Sequence, residues 1–305
     1  MVDDLVIIGG GPAGLTAGMY ASRARLRVRL LEKGVSGGQI NETSIVENYP
    51  GVEPIAGADL AQRMEAQAVG FGLHIDRDGV VKVSKTEDGF LLVGESGQEF
   101  PCKAVIVALG ASPVKLGIPG EEDLTGRGVS YCAVCDGPFY RDQEVAVVGG
   151  GDSAVEEATY LTRFAERVHL IHRRDELRAV KEIQEKALAE PKIQIHWSYV
   201  PVEVIGKHGV EALRIRSVKD GSETDLPVYG VFFYVGLHPN LVDGLSEMVE
   251  ADDRGFIITD SGMGCKTPGL FAAGDIRSKS LRQISTAVGD GAAAAYSAQN
   301  YLENL

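Results

Sequence analysis

Little in this chain of 305 residues suits it to the extracellular space, a bilayer or a polyanion. Cysteine occurs four times, too few for the disulfide framework that staples small secreted domains, and two of the four form one C-x-x-C, Cys132 and Cys135. No apolar run approaches the ~20 residues that cross a bilayer. The N-terminus, MVDDLVIIGGG, carries two acids where a signal peptide carries bases, and lacks a small-residue cleavage site. A cytoplasmic address without membrane association is therefore expected. Bases are in deficit: 30 Lys and Arg against 43 Asp and Glu give a net charge of -13, which repels nucleic acid and anionic lipid on average. A local basic patch could still hold a small phosphate. Disorder is excluded by 44% hydrophobic and 24% charged residues. At roughly 150 residues per domain the length predicts about two domains. Glycine is what the chain has in plenty, 38 residues with no collagen-like period, so the excess belongs to turns and close backbone approaches.

The glycines expose a duplication. LVIIGGGPAG at 5–14 and VAVVGGGDSA at 145–154 each run from an apolar strand through three glycines into a helix-compatible stretch. The offset is 140, and it places RVRLLE at 27–32 over RVHLIH at 167–172. A third pair, VIVALGASP at 105–113 and FFYVGLHP at 232–239, ends an apolar strand in Gly-x-x-Pro, with Gly110 matching Gly236. Each half thus reads as a β-α-β dinucleotide unit plus a later strand of the same sheet. In such a unit Gly9 and Gly149 make the tight turn. Gly11 and Gly151 let the backbone approach a pyrophosphate, and Gly14 or Ala154 lets helix pack on strand. The helix N-terminus then offers free N–H groups to phosphate.

The residue that ends the second strand selects the ribose. In the first half it is Glu32, a carboxylate suited to the hydroxyls of an unphosphorylated ribose. In the second half it is His172, followed by Arg173, Arg174 and, one helical turn on, Arg178. Guanidinium forks suit the 2'-phosphate of NADPH. The bland alternative is a solvated basic face paired with Asp175 and Glu176. Two dinucleotide sites of this kind point to a flavoprotein that passes hydride from NADPH to FAD.

Cys132 and Cys135 lie in YCAVCDG, just before the second unit. Zinc needs four ligands, and no second C-x-x-C or His pair stands nearby. An inert buried pair is the remaining alternative, but a small loop flanked by Asp136 and Gly137 favours access and a redox disulfide. Asp136 is then a candidate acid for the leaving thiolate. Cys102 and Cys265 read as packing residues. The histidines at 74, 169, 196, 208 and 238 show no ligand spacing, and Trp197 takes no role. KEIQEKALAE at 181–190 reads as a charged helix face with Glu182 and Lys186 at i,i+4.

These motifs resemble the low-molecular-weight thioredoxin reductases of bacteria over nearly the whole chain. GGGPAG, GGQ at 37–39, VENYPG at 46–51, CAVCDG, GGGDSAVEEA, HRRDELRA, FAAGD at 271–275 and RQ at 282–283 carry the likeness. The resemblance implies an α/β protein of two Rossmann-like three-layer ββα domains. An NADPH domain of residues 116–244 would be inserted into an FAD domain of residues 1–115 and 245–305. FAD would meet Gly9, Gly11, Pro12, Ala13, Gly14, Glu32, Lys33, Gly38, Gln39, Asn48, Gly110, Asp275, Arg282, Gln283 and Ile284, with Asp275 at the ribityl or phosphate region. NADPH would meet Gly149, Gly151, Asp152, Ser153, Ala154, His172, Arg173, Arg174 and Arg178.

The implied activity is thioredoxin reduction, with Cys135 facing the flavin, Cys132 attacking thioredoxin and Asp136 as acid. Also implied are a homodimer and a domain rotation bending at two linkers, near Lys115–Gly117 and Asp243–Leu245. Departures are small: Ala133-Val134 stands where the family usually has Ala-Thr, and Glu176-Leu177 where an aromatic is common. The competing readings are a flavin-dependent dithiol oxidase, a reductase of another small redox protein, and a silent nucleotide-sensing protein.

Overall fold

The computed structural model describes residues 2–43 and 45–305. The chain forms two compact units, Met1–Ser112 with His238–Leu305, and Pro113–Leu237. The crossings fall at 112/113 and 237/238, where the sequence reading put them at 115/116 and 244/245. Hydrogen bonds account for the larger shift. Asn240 donates its side-chain amide to Leu109 O at 3.0 Å and its backbone N–H to Gly110 O at 3.1 Å. Asp243 bonds Val81 and Val83, and a Cβ on Gly244 would stand 2.0 Å from Val83 O. Asp243–Leu245 is thus a packed part of the first unit and no linker.

The first unit is built on a seven-stranded sheet. Its parallel part runs His74–Asp76, Val28–Leu31, Asp3–Ile8, Glu99–Val107, Leu270–Ala272. The antiparallel pair Phe90–Gly94 and Val80–Lys85 continues it from the first half of Glu99–Val107. That strand shows both regimes in its burial. It alternates exposed and buried over residues 99–103 and is buried throughout 104–107, where parallel neighbours flank it.

Helices Pro12–Arg23, Gly57–Gly70 and Ile284–Glu303 lie on one face, over Leu5, Ile7, Leu30 and Ile106. The hairpin folds over the other, packing Val83, Phe90 and Leu92 on Val6, Ile8 and Val105. The third layer of this unit is therefore an extension of the central sheet. Small residues bring the first and last helices together: a Cβ on Gly291 would meet Ala13 O at 2.2 Å.

The second unit repeats the plan. Its parallel sheet runs Ile193–Trp197, Arg167–His172, Glu144–Val148, Gly230–Phe233, Val129–Ser130. Helices Asp152–Leu161 and Lys181–Ala189 cover one face. A separate antiparallel sheet, Tyr199–Gly206, Val210–Ser217 and Glu223–Pro227, covers the other through Val204, Leu213 and Ile215. Leu213 is 0% exposed, a burial that contributes roughly 2 kcal/mol. The offset of about 140 residues holds through the first strand, first helix and second strand, with the first helices beginning at Pro12 and Asp152.

One local expectation fails. Residues 173–180 form a bend where a helical turn was expected, because Arg178 N–H donates to Gly150 O at 2.7 Å and pins the segment to the glycine loop. The helix starts at Lys181, just after Val180 N–H bonds Asp152 Oδ1 at 2.8 Å. No described helix is long and apolar enough to cross a membrane.

Candidate active site

In the first unit the strand Asp3–Ile8 ends in the glycine loop because nothing larger fits. A Cβ on Gly9, whose φ is +102°, would stand 2.5 Å from Ala108 O, and one on Gly14 1.9 Å from Gly9 O. The helix then begins at Pro12 with Gly11 as N-cap and no side-chain cap, so its first N–H groups stay free for an anion. Ala13 and Gly14 are buried behind them. Glu32 takes Gly10 N–H on Oε2 at 2.7 Å and Gly34 N–H on Oε1 at 2.9 Å, each oxygen keeping a lone pair for a hydroxyl. Exposed Lys33 follows it.

The loop at 37–39 joins this site. Gly37 N–H donates to Gly10 O at 2.8 Å, Gly38 lies against Gly11, and the Gln39 amide donates to Ala111 O, one residue past the turn at Gly110. Across the same unit Asn48 Nδ2 donates to Gln283 Oε1 at 3.2 Å. Gln283 caps the helix that opens at Ile284 in a capping box with Thr286.

Asp275 is a good test of whether FAD fits. Its Oδ1 is buried with no hydrogen-bond partner among the described residues, 3.6 Å from Lys279 Nζ. Burial pushes the carboxyl above its ordinary range, and Lys279 and Arg282 oppose the shift. A buried acceptor of this kind fits a hydroxyl-bearing chain. Arg282 spends its donors on the carbonyls of Asp275, Arg277 and Lys279, at 3.1, 3.0 and 3.2 Å, and so shapes the loop.

The second loop is a variation on the first. Gly149 has φ +156°, with Tyr234 O 2.7 Å and the Ala154 methyl 2.5 Å from where its Cβ would be. The helix begins at Asp152 with Gly151 as N-cap and again no side-chain cap, followed by exposed Ser153 and buried Ala154. His172 packs its ring on Gly150 as Glu32 packs on Gly10. Its Nε2 is buried without a partner among the described residues, and burial first, then Arg178 and Arg174, lowers its pKa. Arg178 Nη2 lies 4.0 Å from the Cβ position of Gly151, while Arg173 and Arg174 are exposed. Asp175 does not neutralise them, being held by Ser198 Oγ at 2.5 Å and Lys219 at 3.4 Å. These residues fit a phosphorylated ribose.

Cys132 and Cys135 form a disulfide, Cα–Cα 5.3 Å, at the start of the short helix Ala133–Asp136. Cys132 is its N-cap, and Sγ accepts Cys135 N–H at 3.2 Å. That position favours a thiolate. Ser130 Oγ accepts Cys132 N–H at 3.1 Å, and Ala133 N–H donates to Tyr234 Oη at 2.5 Å. Burial raises the Asp136 carboxyl, against a lowering hydrogen bond from Ser130. Burial and Glu156 push Glu157 to about 7, and its Oε2 has no hydrogen-bond partner among the described residues.

Sequence reasoning missed Ser130, Tyr234 and Glu157. Only Tyr234 left a signal, since the 126-residue offset of the third repeat pair sets it over Ala108. Cys102 and Cys265 lie apart from this chemistry, burial raising both thiols to about 12. His169, His196 and Glu144 form a hydrogen-bonded chain across three strands, with contacts of 2.9 and 2.8 Å. Among the described residues no cluster of His, Cys, Asp or Glu could hold a metal ion.

Comparison with known proteins agrees with this geometry. The profile of the pyridine nucleotide-disulphide oxidoreductase family matches residues 3–291. A thioredoxin reductase of Listeria innocua is 48% identical over 303 residues, covering 99% of this chain and 94% of that protein. One from Bacillus subtilis is 45% identical over 99% of this chain and 95% of its own length. The crystal structure of thioredoxin reductase from Streptococcus pyogenes superposes with a TM-score of 0.93 at 47% identity, covering 100% of this chain and 99% of that one. Likeness of this depth and length has one reading: the chain belongs to the pyridine nucleotide-disulphide oxidoreductase family, among its thioredoxin reductases.

Proposed function

We propose that the chain reduces oxidised thioredoxin at the expense of NADPH, with FAD held by the first unit and NADPH by the second. The observation that carries the reading is the Cys132–Cys135 disulfide seated at a helix start, with Sγ of Cys132 already accepting a backbone N–H. FAD, when bound, supplies the two-electron relay between nicotinamide and disulfide. In the first unit the N–H groups after Gly11 would hold its pyrophosphate, Glu32 its ribose and Asp275 a hydroxyl of its ribityl chain. In the second, the N–H groups after Gly151 would hold the NADPH pyrophosphate, and Arg173, Arg174 and Arg178 the 2'-phosphate.

The protein's own chemistry begins once the disulfide is a dithiol. The Cys132 thiolate attacks one sulfur of the thioredoxin disulfide and expels the other as thiolate, which takes a proton from Asp136. Cys135 passes its proton to the Asp136 carboxylate, from which the second leaving sulfur takes it, and attacks Sγ of Cys132. This releases the second thioredoxin sulfur and restores the Cys132–Cys135 bond. Two electrons and two protons have passed to thioredoxin, whose potential of roughly -270 mV lies within reach of a nicotinamide donor. A raised Asp136 carboxyl suits this role because it keeps its proton to higher pH. A cytoplasmic homodimer completes the proposal, and sedimentation tests the dimer.

The direct test is anaerobic titration of the FAD-loaded protein with NADPH, then separately with NADH, before addition of thioredoxin. Flavin bleaching, two new titratable thiols and insulin-coupled thioredoxin turnover are expected with NADPH. Yellow protein left unbleached, or bleached protein without new thiols, overturns the reading.

A further inference from the structure

We infer that Glu121 is a positioning residue for the dithiol, locking the chain just after it passes into the second unit onto the residue that precedes Cys132. The inference deepens the proposed disulfide chemistry and rests on it. Glu121 is 1% exposed, and a carboxylate so placed is costly unless donors surround it. Three do. Gly117 N–H lies 2.7 Å from Oε2, Leu116 N–H 3.2 Å from Oε1, and the Tyr131 hydroxyl 3.0 Å from Oε1. The two N–H groups come soon after the crossing at 112/113, and the phenol belongs to the neighbour of Cys132.

Both ends of this link are anchored. Glu121 N–H bonds Ile118 O at 3.2 Å, and Thr125 Oγ1 donates to Glu121 O at 2.8 Å. The Tyr131 ring packs on Phe233, centroids 6.0 Å apart. Two consequences follow. Leu116 and Gly117, part of the stretch Lys115–Gly117 that the resemblance gives as a bending point, are held to Glu121 within the second unit. Loss of the link would also free the backbone that sets Cys132 at φ -144° and ψ 97°, the conformation in which Sγ meets Cys135 N–H. Glu121 thus acts on the sulfur through Tyr131, without touching it.

The test compares Tyr131→Phe, Glu121→Gln and their combination in full-length protein carrying Cys135→Ser, with alkylation read at Cys132 by peptide mass because Cys102 and Cys265 remain as free thiols. The dithiothreitol-reduced protein is alkylated with iodoacetamide across about pH 5 to 9, and thermal melting is recorded alongside. Neither nucleotide nor thioredoxin is needed, so failure here is separable from failure of the reductase reading. Each single variant should raise the alkylation midpoint and slow the reaction near neutral pH about threefold or more, because the N-capping geometry loosens. The double variant should be no slower than the slower single, since both act through one link. A wild-type profile in Tyr131→Phe, which keeps the ring on Phe233, overturns the inference, as do single effects that multiply in the double. If Glu121→Gln does not fold, Tyr131→Phe decides alone.

Discussion

Tyr234 Oη accepts the backbone N–H of Ala133 at 2.5 Å, tying the turn between the two cysteines to the end of the strand Gly230–Phe233. The same tyrosine's carbonyl oxygen backs Gly149 of the second glycine loop. One residue therefore supports the nucleotide loop with its main chain and the redox turn with its side chain. In the first unit Ala108 backs Gly9 in the same way, and its methyl has no hydroxyl to offer such a turn.

Tyr234→Phe should leave the Ala133 N–H without an acceptor in a residue that is 0% exposed, at a cost of about 1–3 kcal/mol. The urea midpoint should fall while FAD content stays at the wild-type level, because FAD is assigned to the other unit. An unchanged midpoint would show that the bond contributes nothing to stability.

Replacement of either cysteine by serine should stop thioredoxin reduction and leave FAD bound. In Cys132→Ser the hydroxyl can still accept Cys135 N–H, as N-capping serines do, so the helix Ala133–Asp136 should persist. Absorbance of the purified variants tests the first half, and insulin-coupled turnover the second. Loss of flavin in either variant would assign the cysteine a structural part.

Arg173→Ala with Arg174→Ala should raise KM for NADPH by about tenfold to a hundredfold, the worth of lost charge-assisted hydrogen bonds to phosphate. KM for NADH should change by no more than about threefold, since that nucleotide lacks the 2'-phosphate. Equal losses for the two nucleotides would remove the 2'-phosphate assignment. Arg178→Ala should also raise KM for NADPH, its guanidinium being assigned to the same 2'-phosphate.

Glu157 carries a pH signature. Its carboxyl is raised from 4.5 to about 7, so the folded state holds the proton more tightly than the unfolded chain does. Its contribution to stability is full below about pH 4.5 and is lost as pH rises through about 7. Glu157→Gln lacks this loss. The variant should therefore gain on the wild type between about pH 5 and pH 8 in denaturant titrations. A difference that stays constant across that range would mean the carboxyl is not strained by burial.

What the sequence made legible was local. The two glycine loops, the strands before them and Glu32 or His172 after them are read from short windows, because sterics at Gly9 and Gly149 leave few alternatives. The Cys132–Cys135 pair is legible from its C-x-x-C spacing alone. The crossing near 237/238 was not, since it depends on Asn240 reaching Leu109 and Asp243 reaching Val81 and Val83, contacts that no window contains. Arg178 was read as lying one helical turn past its partners, yet its N–H bonds Gly150 instead. Glu121, in GEEDL at 120–124, takes no role in the sequence reading. Only three converging donors reveal a buried carboxyl.

The ladder between Leu270–Ala272 and residues 105–107 imposes an order of events on the growing polypeptide. When the ribosome has delivered residues 113–237 the second unit has all of its strands, whereas the first still lacks the strand that pairs residues 105–107 and the helix Ile284–Glu303 that roofs Leu5 and Ile7. The insert can thus mature during translation while its host waits with an open sheet edge and a bare apolar face, the features that attract chaperones or self-association. A ribosome stalled just before Leu270 would leave the later-encoded fold finished and the earlier one stranded.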